Sequence, residues 1–513
     1  MSLPLSELLK DLGATRIGSG DPDIESIGIH ADRVGPGGLF IAIEGERRDG
    51  HDFVDAAIRA GARALLLERK IPVPTGIAAA LVPNTRACAP IVASRFFGEP
   101  SRKMTVVGVT GTNGKTTCTW LLDAIAAAAG RRTGLIGTVG VRWGGVSRPA
   151  AHTTPDPVAL QELLATMAKA DVEHVSLEVS SHALAQHRAD AIDFRAALFT
   201  QLGRDHLDYH QTPEAYFQAK ARLFSDLMAH GRTNDKTAII NIDDPAGRRL
   251  KDISRADVTL GVSAAGRPDA AIRVIDADLR PTGTTFTLAS PWGRHTFTSP
   301  LVGRFNLDNL AGVTGLALAL QIPAERIRHA LREAQGAPGR LEPIRAGGPS
   351  APRVFVDYAH DAHSLEAVLR TLRALEPRHL IVVFGCGGDR DPGKRPIMGE
   401  VAARLADLSV ITSDNPRSEN PKAILDAIRS GMSAAAEWPG HFDDDSQDIH
   451  YYHVIDDRRH AMAEAIRIAG QSDIVLIAGR GHEAFQILGN ERRPFDDRRV
   501  AARILSGEEG GAG

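Results

Sequence analysis

The sequence is poor in cysteine, in aromatic residues and in long apolar runs. Of its 513 residues only three are cysteine, at positions 88, 118 and 386, and aromatic residues make up 5%. Three cysteines without metal-type spacing exclude a disulfide framework and predict reduced, buried thiols. The longest apolar stretch, residues 121–129, is short and contains Asp123, and the N-terminus lacks a basic region followed by an apolar core. We therefore expect neither export nor a membrane-spanning helix.

The sequence also lacks an excess of charge of either sign. Its 60 basic and 63 acidic residues give a formal net charge of −3, which provides no electrostatic basis for binding nucleic acid or an anionic membrane. A content of 43% hydrophobic residues and 50 glycines is typical of a loop-rich globular enzyme. We expect a cytoplasmic protein, monomeric, with small molecules as its partners.

The length and the alternation of apolar patterns predict an α/β protein of three domains. A chain of 513 residues exceeds what one hydrophobic core usually serves. The first domain, residues 1–100, is predicted to be a small α/β unit. The central domain, residues 101–337, has strand patterns at 105–109, 134–139, 175–179, 196–202 and 238–242 that alternate with helical patterns such as 157–170 and 213–228. This alternation predicts a parallel sheet covered by helices.

The remaining segments extend this organisation. The Thr-rich alternation over residues 257–301 predicts antiparallel strands at the edge of the central domain, and residues 306–320 read as a helix. The third domain, residues 338–513, is predicted to be Rossmann-like, with strands at 354–356, 380–384, 408–412 and 474–478. Each of these strands runs into a polar or Gly-rich loop. Because open α/β sheets bind ligands at the carboxyl ends of their strands, these loops are candidate walls of a site.

Residues 108–117 read Gly-Val-Thr-Gly-Thr-Asn-Gly-Lys-Thr-Thr and lie between a predicted strand and a predicted helix. In such a turn the backbone N–H groups point at a phosphate, Lys115 reaches the outer phosphate oxygens and the Thr116 hydroxyl can hold Mg²⁺. Val109 stands where the first glycine of the usual phosphate-loop pattern is expected, so an ordinary Gly-rich turn is the alternative. The context predicts ATP binding.

Two further polar residues follow neighbouring strand patterns of the central domain. Glu178 ends the strand at 175–179, and His206 lies in the loop after the strand at 196–202. A carboxylate and an imidazole at the same sheet edge as a phosphate loop can bind Mg²⁺ and a second metal ion, or position water around them. Taken singly, Glu178 is better explained as a helix cap and His206 as a hydrogen-bonded loop residue.

Five motifs occur together along the chain. They are Gly-Thr-Asn-Gly-Lys-Thr-Thr at 111–117, Glu-Val-Ser-Ser-His at 178–182, Arg-Asp-His-Leu-Asp at 204–208, Arg-Phe-Asn-Leu-Asp-Asn at 304–309 and Pro-Gly-Arg-Leu-Glu at 338–342. Their order and spacing are similar to those of the Mur ligases, the ATP-dependent amino-acid ligases of peptidoglycan synthesis. The resemblance covers nearly the whole chain and includes the three-domain layout. It implies a small uridine-binding domain, a central phosphate-loop ATPase domain and a C-terminal amino-acid-binding domain.

The resemblance implies a nucleotide site and a metal site. The ATP-binding residues would be Gly111, Thr112, Asn113, Gly114, Lys115, Thr116, Thr117, Asn306, Asn309, Arg340 and Asp357. The catalytic residues would be Lys115, Glu178, His206 and Lys220, with Mg²⁺ near Thr116, Glu178, His206 and Lys220. Lys220 matches the family's carbamylated lysine, in which an ammonium becomes a carboxylate that can bind Mg²⁺. From the residues alone, Lys220 reads as a solvated helix lysine.

Within the family, the sequence resembles the branch that adds the third residue to UDP-MurNAc-L-Ala-D-Glu. The implied contacts to this sugar nucleotide come from Thr153, Thr154, Ser180, Gln186 and Arg188. Arg188 suits a phosphate or a carboxylate because its guanidinium offers paired donors. A helix cap and surface polar groups are the alternative explanation for these residues. In the first domain Ala31 stands where the family has a serine, which removes that single contact.

The implied amino-acid site lies in the C-terminal domain and comprises Arg390, Asp414, Asn415, Pro416, Arg417, Gly479 and Glu483. The motif at 414–417 resembles that of enzymes that use meso-diaminopimelate rather than L-lysine. Diaminopimelate is lysine with an additional carboxylate, with which Arg417 can pair bidentately, and Glu483 suits an ammonium. A proline turn with a solvated arginine is the alternative. Residues 361–363, Asp-Ala-His, depart from the family's Thr-Pro-Asp, so nucleotide contacts beyond His360 are not expected.

Three other functions fit part of this pattern. A lysine-adding ligase or a folylpolyglutamate synthase shares the phosphate loop and the Pro-Gly-Arg motif. The uridine-like first domain argues against the folate enzyme, and Arg417 argues against lysine. A nucleotide-binding regulator that has lost catalysis would not need Lys115, Thr116, Glu178, His206 and Lys220 together.

Overall fold

The computed structural model describes residues 2–17, 20–45, 48–203, 205–230, 234–348, 350–443 and 449–508. The chain folds into two compact units. The first unit contains the chain up to Ala277 together with Phe286–Phe297 and Asp308–Arg332, and the second contains Asp278–Thr285, Thr298–Leu307 and the chain from Glu333 onward. Helices flank largely parallel sheets in both units, so the predicted α/β fold class is confirmed.

The N-terminal segment of the first unit forms a five-stranded sheet. Its elements are β1 (Leu3–Pro4), α1 (Leu5–Leu8), β2 (Thr15–Arg16), β3 (Asp23–Ile24), β4 (Ser26–Gly28), β5 (Gly38–Ile41), α2 (Val54–Ala60), β6 (Ala62–Leu67), β7 (Ala78–Leu81) and α3 (Thr85–Phe96). The strand order is β2-β7-β6-β5-β4, with β4 to β7 parallel and β2 antiparallel to β7. Successive residues Leu65 and Leu66 are both fully buried, because alternate side chains of a covered strand enter the cores on its two faces.

The central segment forms the largest sheet. Its elements are β8 (Thr105–Thr110), α4 (Lys115–Ala128), β9 (Thr133–Gly137), β10 (Gly140–Trp143), β11 (Val146–Arg148), α5 (Pro157–Lys169), β12 (His174–Glu178), α6 (Ser181–Ala185), β13 (Phe194–Phe199), α7 (Leu207–His210), α8 (Pro213–Ser225), β14 (Thr237–Asn241), α9 (Pro245–Ile253), β15 (Val258–Ser263), β16 (Ile272–Arg280), β17 (Gly283–Ser290), β18 (Gly293–Ser299), α10 (Arg304–Ala319) and α11 (Ala324–Glu333). The order is β11-β10-β9-β12-β8-β13-β14-β15-β16-β17-β18. Strand β8 lies between β12 and β13 and is parallel to both. The residues that follow these three strands therefore share one sheet edge.

The direction of the edge strands differs from the sequence prediction. Strand β15 is parallel to β14, and β16 is parallel to β15, with Val262 opposite Ile272. The predicted antiparallel pairing is therefore wrong for β15 and β16. For β15 the physical reason is that α9 follows β14 and returns the chain to the amino end of the sheet before β15 begins, as in other β-α-β connections.

The second unit contains a seven-stranded sheet. Its elements are β19 (Glu342–Pro343), β20 (Arg353–Asp357), α12 (Ala362–Arg373), β21 (Leu380–Phe384), α13 (Lys394–Leu405), β22 (Leu408–Ile411), α14 (Pro421–Arg429), β23 (Ala436–Glu437), β24 (Tyr451–Val454), α15 (Arg458–Ile468), β25 (Ile474–Ala478), β26 (Phe485–Leu488), β27 (Glu491–Pro494) and α16 (Asp497–Ser506). The order is β19-β20-β25-β21-β22-β24-β23, and only β19 is antiparallel to its neighbour. The loops after β20, β21, β22 and β25 therefore lie at the carboxyl edge of one sheet.

The three cysteines are buried free thiols, as predicted. Among the residues that the structure describes, no helix has the length and the apolar character needed to cross a membrane.

Candidate active site

The turn between β8 and α4 requires glycine at two positions. Gly111 and Gly114 have φ values of 149° and 88°, a region that side chains disfavour. A Cβ atom at Gly111 would lie 1.9 Å from Thr200 Oγ1, and one at Gly114 would lie 2.3 Å from Asn309 Oδ1. The turn is therefore packed so closely against β13 and α10 that only glycine fits at these two positions. Because glycine has no side chain, the backbone N–H groups of the turn stay accessible to a phosphate.

Two lysines contact the same backbone carbonyl in this turn. Lys115 Nζ donates to Gly111 O at 2.9 Å and to Thr112 O at 2.8 Å, and Lys220 Nζ donates to Gly111 O at 2.8 Å. Lys220 is 2% exposed and its Nζ lies 4.5 Å from the ring centroid of Tyr216. Burial lowers the pKa of Lys220 well below its usual range, and the Lys115 cation adds to this effect. The alternative of a solvated helix lysine is excluded.

Polar side chains from neighbouring elements hold the turn in place. Thr112 Oγ1 lies 3.0 Å from Tyr216 Oη and accepts a 2.8 Å hydrogen bond from the backbone N–H of Gly203. Thr200 Oγ1 donates to Asn113 O at 2.6 Å. Sequence reasoning missed Tyr216 and Thr200, although Thr200 lies within the strand predicted at 196–202.

A buried carboxylate lies next to the turn at the end of β12. Glu178 is fully buried, and its Oε2 accepts hydrogen bonds from Thr116 Oγ1 at 3.0 Å and from Thr138 Oγ1 at 2.9 Å. Its Oε1 accepts from the backbone N–H of Thr138 at 2.9 Å. Glu178 does not cap α6, because Ser180 is the capping residue. Thr138 was missed from the sequence, although it lies within the strand pattern at 134–139.

His206 lies in a histidine-rich group beside this centre. Its ring centroid is 4.7 Å from that of His182 and 6.2 Å from that of Tyr216, and Nε2 is 3.3 Å from Asp205 Oδ2. Burial lowers the pKa of His206; Asp205 opposes this, and the cations Lys115 and Lys220 add to it. A neutral imidazole, which can act as a ligand or an acceptor, is favoured. Arg204, from the same motif, lies outside the described residues.

The residues around Glu178 suit a hard divalent cation. The hydroxyl oxygens of Thr116 and Thr138 lie 3.0 and 2.9 Å from Glu178 Oε2, and Mg²⁺ prefers such oxygen ligands. Among the described residues, no group of three His, Cys, Asp or Glu side chains is arranged as a metal cluster. The metal-binding roles of His206 and Lys220 remain predictions.

The residues predicted to hold the sugar nucleotide form one hydrogen-bonded group that starts at Glu178. Thr154 Oγ1 donates to the backbone carbonyl of Glu178 at 2.8 Å and accepts from the backbone N–H of Ser180 at 3.1 Å. Arg188 Nη1 donates to Thr154 O at 2.9 Å, and Nε donates to Gln186 Oε1 at 3.1 Å.

Thr153 and Ala31, two other positions considered in the sequence, have local roles. Thr153 Oγ1 lies 3.1 Å from Thr138 Oγ1, which connects the group to the carboxylate of Glu178. In the N-terminal segment, Ala31 begins a short 3-10 turn, Ala31–Arg33. Nearby in the sequence, His51 Nδ1 lies 2.7 Å from Asp49 Oδ1 and Nε2 accepts from the backbone N–H of Glu68.

The remaining predicted nucleotide residues are Asn306 and Asn309 on α10, and Arg340 and Asp357. Asn306 Nδ2 donates to Val302 O at 2.9 Å, one turn earlier. The Arg340 guanidinium lies 4.5 Å from the ring centroid of Tyr358. Asp357 accepts backbone hydrogen bonds from Leu341 at 2.6 Å and Ala359 at 2.8 Å, and burial raises its pKa.

The loop that carries Arg340 touches the loop after β25. A Cβ atom at Gly339 would lie 2.2 Å from the carbonyl carbon of Gly481, and one at Gly481 would lie 2.7 Å from Gly339 O. Further along, Asp361 accepts from the backbone N–H of Ser364 and caps α12. Asp361, the first of the residues that depart from the family pattern at 361–363, therefore stabilises the start of α12.

The predicted amino-acid residues meet at the carboxyl edge of the second unit's sheet. Asn415 Nδ2 donates to Glu483 Oε2 at 2.8 Å, and Arg417 Nη1 donates to Gly388 O at 2.6 Å. A Cβ atom at Gly479 would lie 2.6 Å from Asp414 Oδ2. The loops after β21, β22 and β25 are thus joined side by side, and the exposed Arg390 and the backbone of Pro416 belong to two of them.

Comparisons with known protein families agree with this geometry. Residues 23–94 match the catalytic domain of the Mur ligase family, residues 109–317 match the Mur ligase middle domain, and residues 339–481 match the Mur ligase glutamate ligase domain. These matches cover most of the chain. The chain therefore belongs to the Mur ligase family, as the motifs predict.

Individual relatives narrow the resemblance. A protein of Gloeobacter violaceus is 44% identical over 98% of this chain and 98% of its own length. A protein of Geobacillus kaustophilus is 42% identical over 94% of this chain and 95% of its own length. Both are named UDP-N-acetylmuramoyl-L-alanyl-D-glutamate--2,6-diaminopimelate ligase. A solved structure of a ligase with the same name is 32% identical, covers 100% of both chains and superposes with a TM-score of 0.71.

Proposed function

We propose that the chain is an ATP-dependent ligase that joins meso-diaminopimelate to the D-Glu side-chain carboxylate of UDP-MurNAc-L-Ala-D-Glu. This step belongs to peptidoglycan precursor synthesis and would take place in the cytoplasm. The observation that carries the proposal is the double role of Glu178. Its carboxylate contacts Thr116 of the phosphate loop, and its backbone carbonyl contacts Thr154 of the group assigned to the sugar nucleotide. The phosphoryl donor and its acceptor would thus bind on either side of one residue.

The nucleotide would bind with its phosphates on the loop that opens α4. Backbone N–H groups of residues 111–117 would hold the phosphate oxygens, and Lys115 would offset charge on the transferring phosphoryl group. Asn306, Asn309, Arg340 and Asp357 would contact the adenosine. The positive φ values of Gly111 and Gly114 support the assignment of this loop to phosphate binding.

Thr116, Glu178, His206 and carbamylated Lys220 would hold Mg²⁺. When bound, the ion offsets the negative charge of the phosphates. The lowered pKa of Lys220 supports its carbamylation, because the neutral amine is the form that adds to CO₂ and then loses a proton to give the carbamate. Glu178 and Lys220 would act through the metal rather than as general bases.

The reaction would pass through an acyl phosphate. A carboxylate is a poor electrophile, so transfer of the γ-phosphoryl group of ATP to the D-Glu carboxylate supplies a leaving group and releases ADP. The amine of diaminopimelate attacks the acyl carbon, and inorganic phosphate leaves from the tetrahedral intermediate as the amide forms. Thr153, Thr154, Ser180, Gln186 and Arg188 would hold the acceptor substrate, with the Arg188 guanidinium facing its anionic groups.

The amino acid would bind between the loops after β21, β22 and β25. Arg417 would pair with the carboxylate that distinguishes diaminopimelate from lysine, and Arg390 would add a second positive charge. Glu483 and Asp414 would face an ammonium group, with Asn415 and Gly479 supporting them. The hydrogen bond between Asn415 and Glu483 supports this arrangement.

The test is phosphate release with UDP-MurNAc-L-Ala-D-Glu, ATP and Mg²⁺, in parallel with meso-diaminopimelate, L-lysine and no amino acid. Release that depends on diaminopimelate is the expected result. Release with lysine alone would keep the reaction and overturn the specificity. No release in any reaction would overturn the proposed activity.

A further inference from the structure

Five charged side chains form a network behind the amino-acid loops of the second unit. The charge network consists of Arg458, Arg480, Asp497, Asp414 and Glu483. The side chains of Arg458, Arg480 and Asp497 are 0% exposed, and that of Glu483 is 34% exposed. None of the three fully buried residues is among those assigned above to a substrate.

Arg458 and Asp497 form a bidentate pair between the first turns of α15 and α16. Arg458 Nε donates to Asp497 Oδ1 at 2.9 Å, and Nη2 donates to Asp497 Oδ2 at 2.7 Å. A helix N-terminus favours an anion over a cation, so the start of α15 is an unfavourable place for a buried arginine. Arg458 Nη2 also donates to Ala478 O at 3.0 Å. The pair thereby fixes the end of β25, directly before Gly479.

Arg480 fixes the loop that follows. Its Nη2 donates to Phe485 O at 2.7 Å and to Phe495 O at 3.0 Å. Its Nη1 lies 3.7 Å from Asp497 Oδ1, and its Nε lies 3.9 Å from Glu483 Oε2. Arg480 thus connects the buried pair to the carboxylate that faces the amino-acid loops.

The network is not arranged for stability alone. A buried ion pair rarely stabilises a fold more than well-packed apolar side chains do. Moreover, Arg458 Nη1 and Arg480 Nε and Nη1 have no hydrogen-bond partner within the described parts of the chain. Stability alone therefore does not account for these two buried arginines.

The network itself contains two arginines and three carboxylates, and two of the carboxylates, Asp414 and Glu483, belong to the amino-acid loops. A Cβ atom at Gly479 would lie 2.6 Å from Asp414 Oδ2. Burial raises the pKa of Asp414, and Arg458 and Arg480 act against that rise. Burial, followed by the Asp414 charge, raises the pKa of Glu483. A cationic group from the substrate would balance the network.

We propose that Arg458, Asp497 and Arg480 are positioning residues for the amino-acid substrate. They hold Asp414 and Glu483, in the loops that follow β22 and β25, as the two carboxylates that receive an ammonium group. They act through the backbone of residues 478–480 and through the two carboxylates, rather than by touching the substrate. The inference rests on the proposed function, which it deepens by naming the residues that hold the two ammonium-binding carboxylates in place.

The test uses two variants of the full chain. Asp497→Asn removes one charge at constant shape, and the double variant Arg458→Met with Asp497→Leu replaces the buried pair with apolar side chains. Arg467→Met, which changes an exposed arginine of the same helix α15, is the matched control. The kcat and the KM for each of the three substrates are measured by phosphate release, and Tm is measured in parallel.

We expect the KM for diaminopimelate to rise about tenfold or more in both variants, the loss typical of a charge-assisted hydrogen bond. The KM values for ATP and for the sugar nucleotide should stay within about twofold, because only the amino-acid loops are displaced. The double variant decides the question if Asp497→Asn does not fold, since it removes the buried charge of Arg458 together with that of its bidentate partner Asp497.

A double variant with unchanged Tm and unchanged amino-acid KM would overturn the inference, and so would an equal rise in all three KM values. Failure of the proposed function is seen separately, in the wild-type chain. There, diaminopimelate would give no phosphate release, whereas failure of the inference alone leaves the wild-type activity intact.

Discussion

Lys220 Nζ and Lys115 Nζ donate to the same carbonyl oxygen, that of Gly111, at 2.8 and 2.9 Å. Two ammonium groups around one acceptor repel each other, and burial of Lys220 increases the penalty for a charge at that position. The pKa of Lys220 is therefore well below its usual range, which favours the neutral amine, the form that can react with CO₂. This relationship gives a physical basis for the proposed carbamate.

Lys220→Ala should lower kcat by about a hundredfold or more, because it removes a proposed metal ligand next to the transferring phosphoryl group. Acetate or propionate should restore part of the activity by supplying a carboxylate in the space left by the side chain. Lys251→Ala, which changes an exposed lysine of α9, is the control and should keep wild-type kcat. Full activity of Lys220→Ala would refute the proposed role.

Gly114→Ala should abolish measurable ATP binding, whereas Gly130→Ala should not. Both glycines have similar positive φ values, 88° and 83°, so both substitutions should lower the free energy of unfolding by about 1–2 kcal/mol. They differ in space: the Cβ at 114 would lie 2.3 Å from Asn309 Oδ1, and the Cβ at 130 would meet nothing within 4 Å. Urea unfolding and calorimetric titration with ATP measure the two effects. Equal ATP affinity of the two variants would contradict the phosphate-loop assignment.

Arg417→Ala should reduce kcat/KM for diaminopimelate by about a hundredfold, the value of a bidentate charge-assisted contact of roughly 2–3 kcal/mol. The activity with L-lysine should change much less, so that the preference for diaminopimelate is largely lost. Arg429→Ala, in the exposed part of α14, is the control. An unchanged ratio of kcat/KM for diaminopimelate to kcat/KM for L-lysine would show that another residue binds the second carboxylate.

The protein should lose stability as the pH falls from about 6.5 to 3, in part because of His174. This ring is 1% exposed, and burial, with a contribution from Arg131, lowers its pKa to about 3. The unfolded chain therefore binds a proton in this range that the folded chain does not, so folding is favoured above pH 6.5 and is progressively disfavoured below it.

The contribution of His174 should be roughly 3–5 kcal/mol over that range. Urea unfolding of wild type and His174→Phe at several pH values measures it, and the variant should show a flatter pH dependence. His460→Phe, on the exposed face of α15, should leave the wild-type slope unchanged. Parallel curves for wild type and His174→Phe would refute this account.

Local patterns were enough to predict most of the fold. The strands Leu380–Phe384 and Ile474–Ala478 have the predicted bounds, because short apolar runs between polar loops are typical of covered parallel strands. The phosphate loop was also predictable, since its residues are contiguous and lie between a strand and a helix. The direction of β15 was not predictable, because the alternation of residues along one strand does not indicate the direction of the strand beside it.

Contacts between distant residues were harder to predict. Thr138 and Glu178 are 40 residues apart, and Arg458 and Asp497 are 39 apart, so no local pattern marks either pair. The burial of Lys220 was also hidden, because the polar residues around it in α8 are typical of an exposed helix. Only the folded structure shows that the carbonyl of Gly111 lies within hydrogen-bond distance of Lys220 Nζ.

The close approach of Gly339 and Gly481 matters for protein engineering. Any side chain at either position would force apart two loops, one carrying Arg340 and the other carrying Glu483. A mutant library that diversifies one loop must therefore keep the glycine of the other. Although they are far apart in the sequence, the two motifs have to be redesigned as a single cassette.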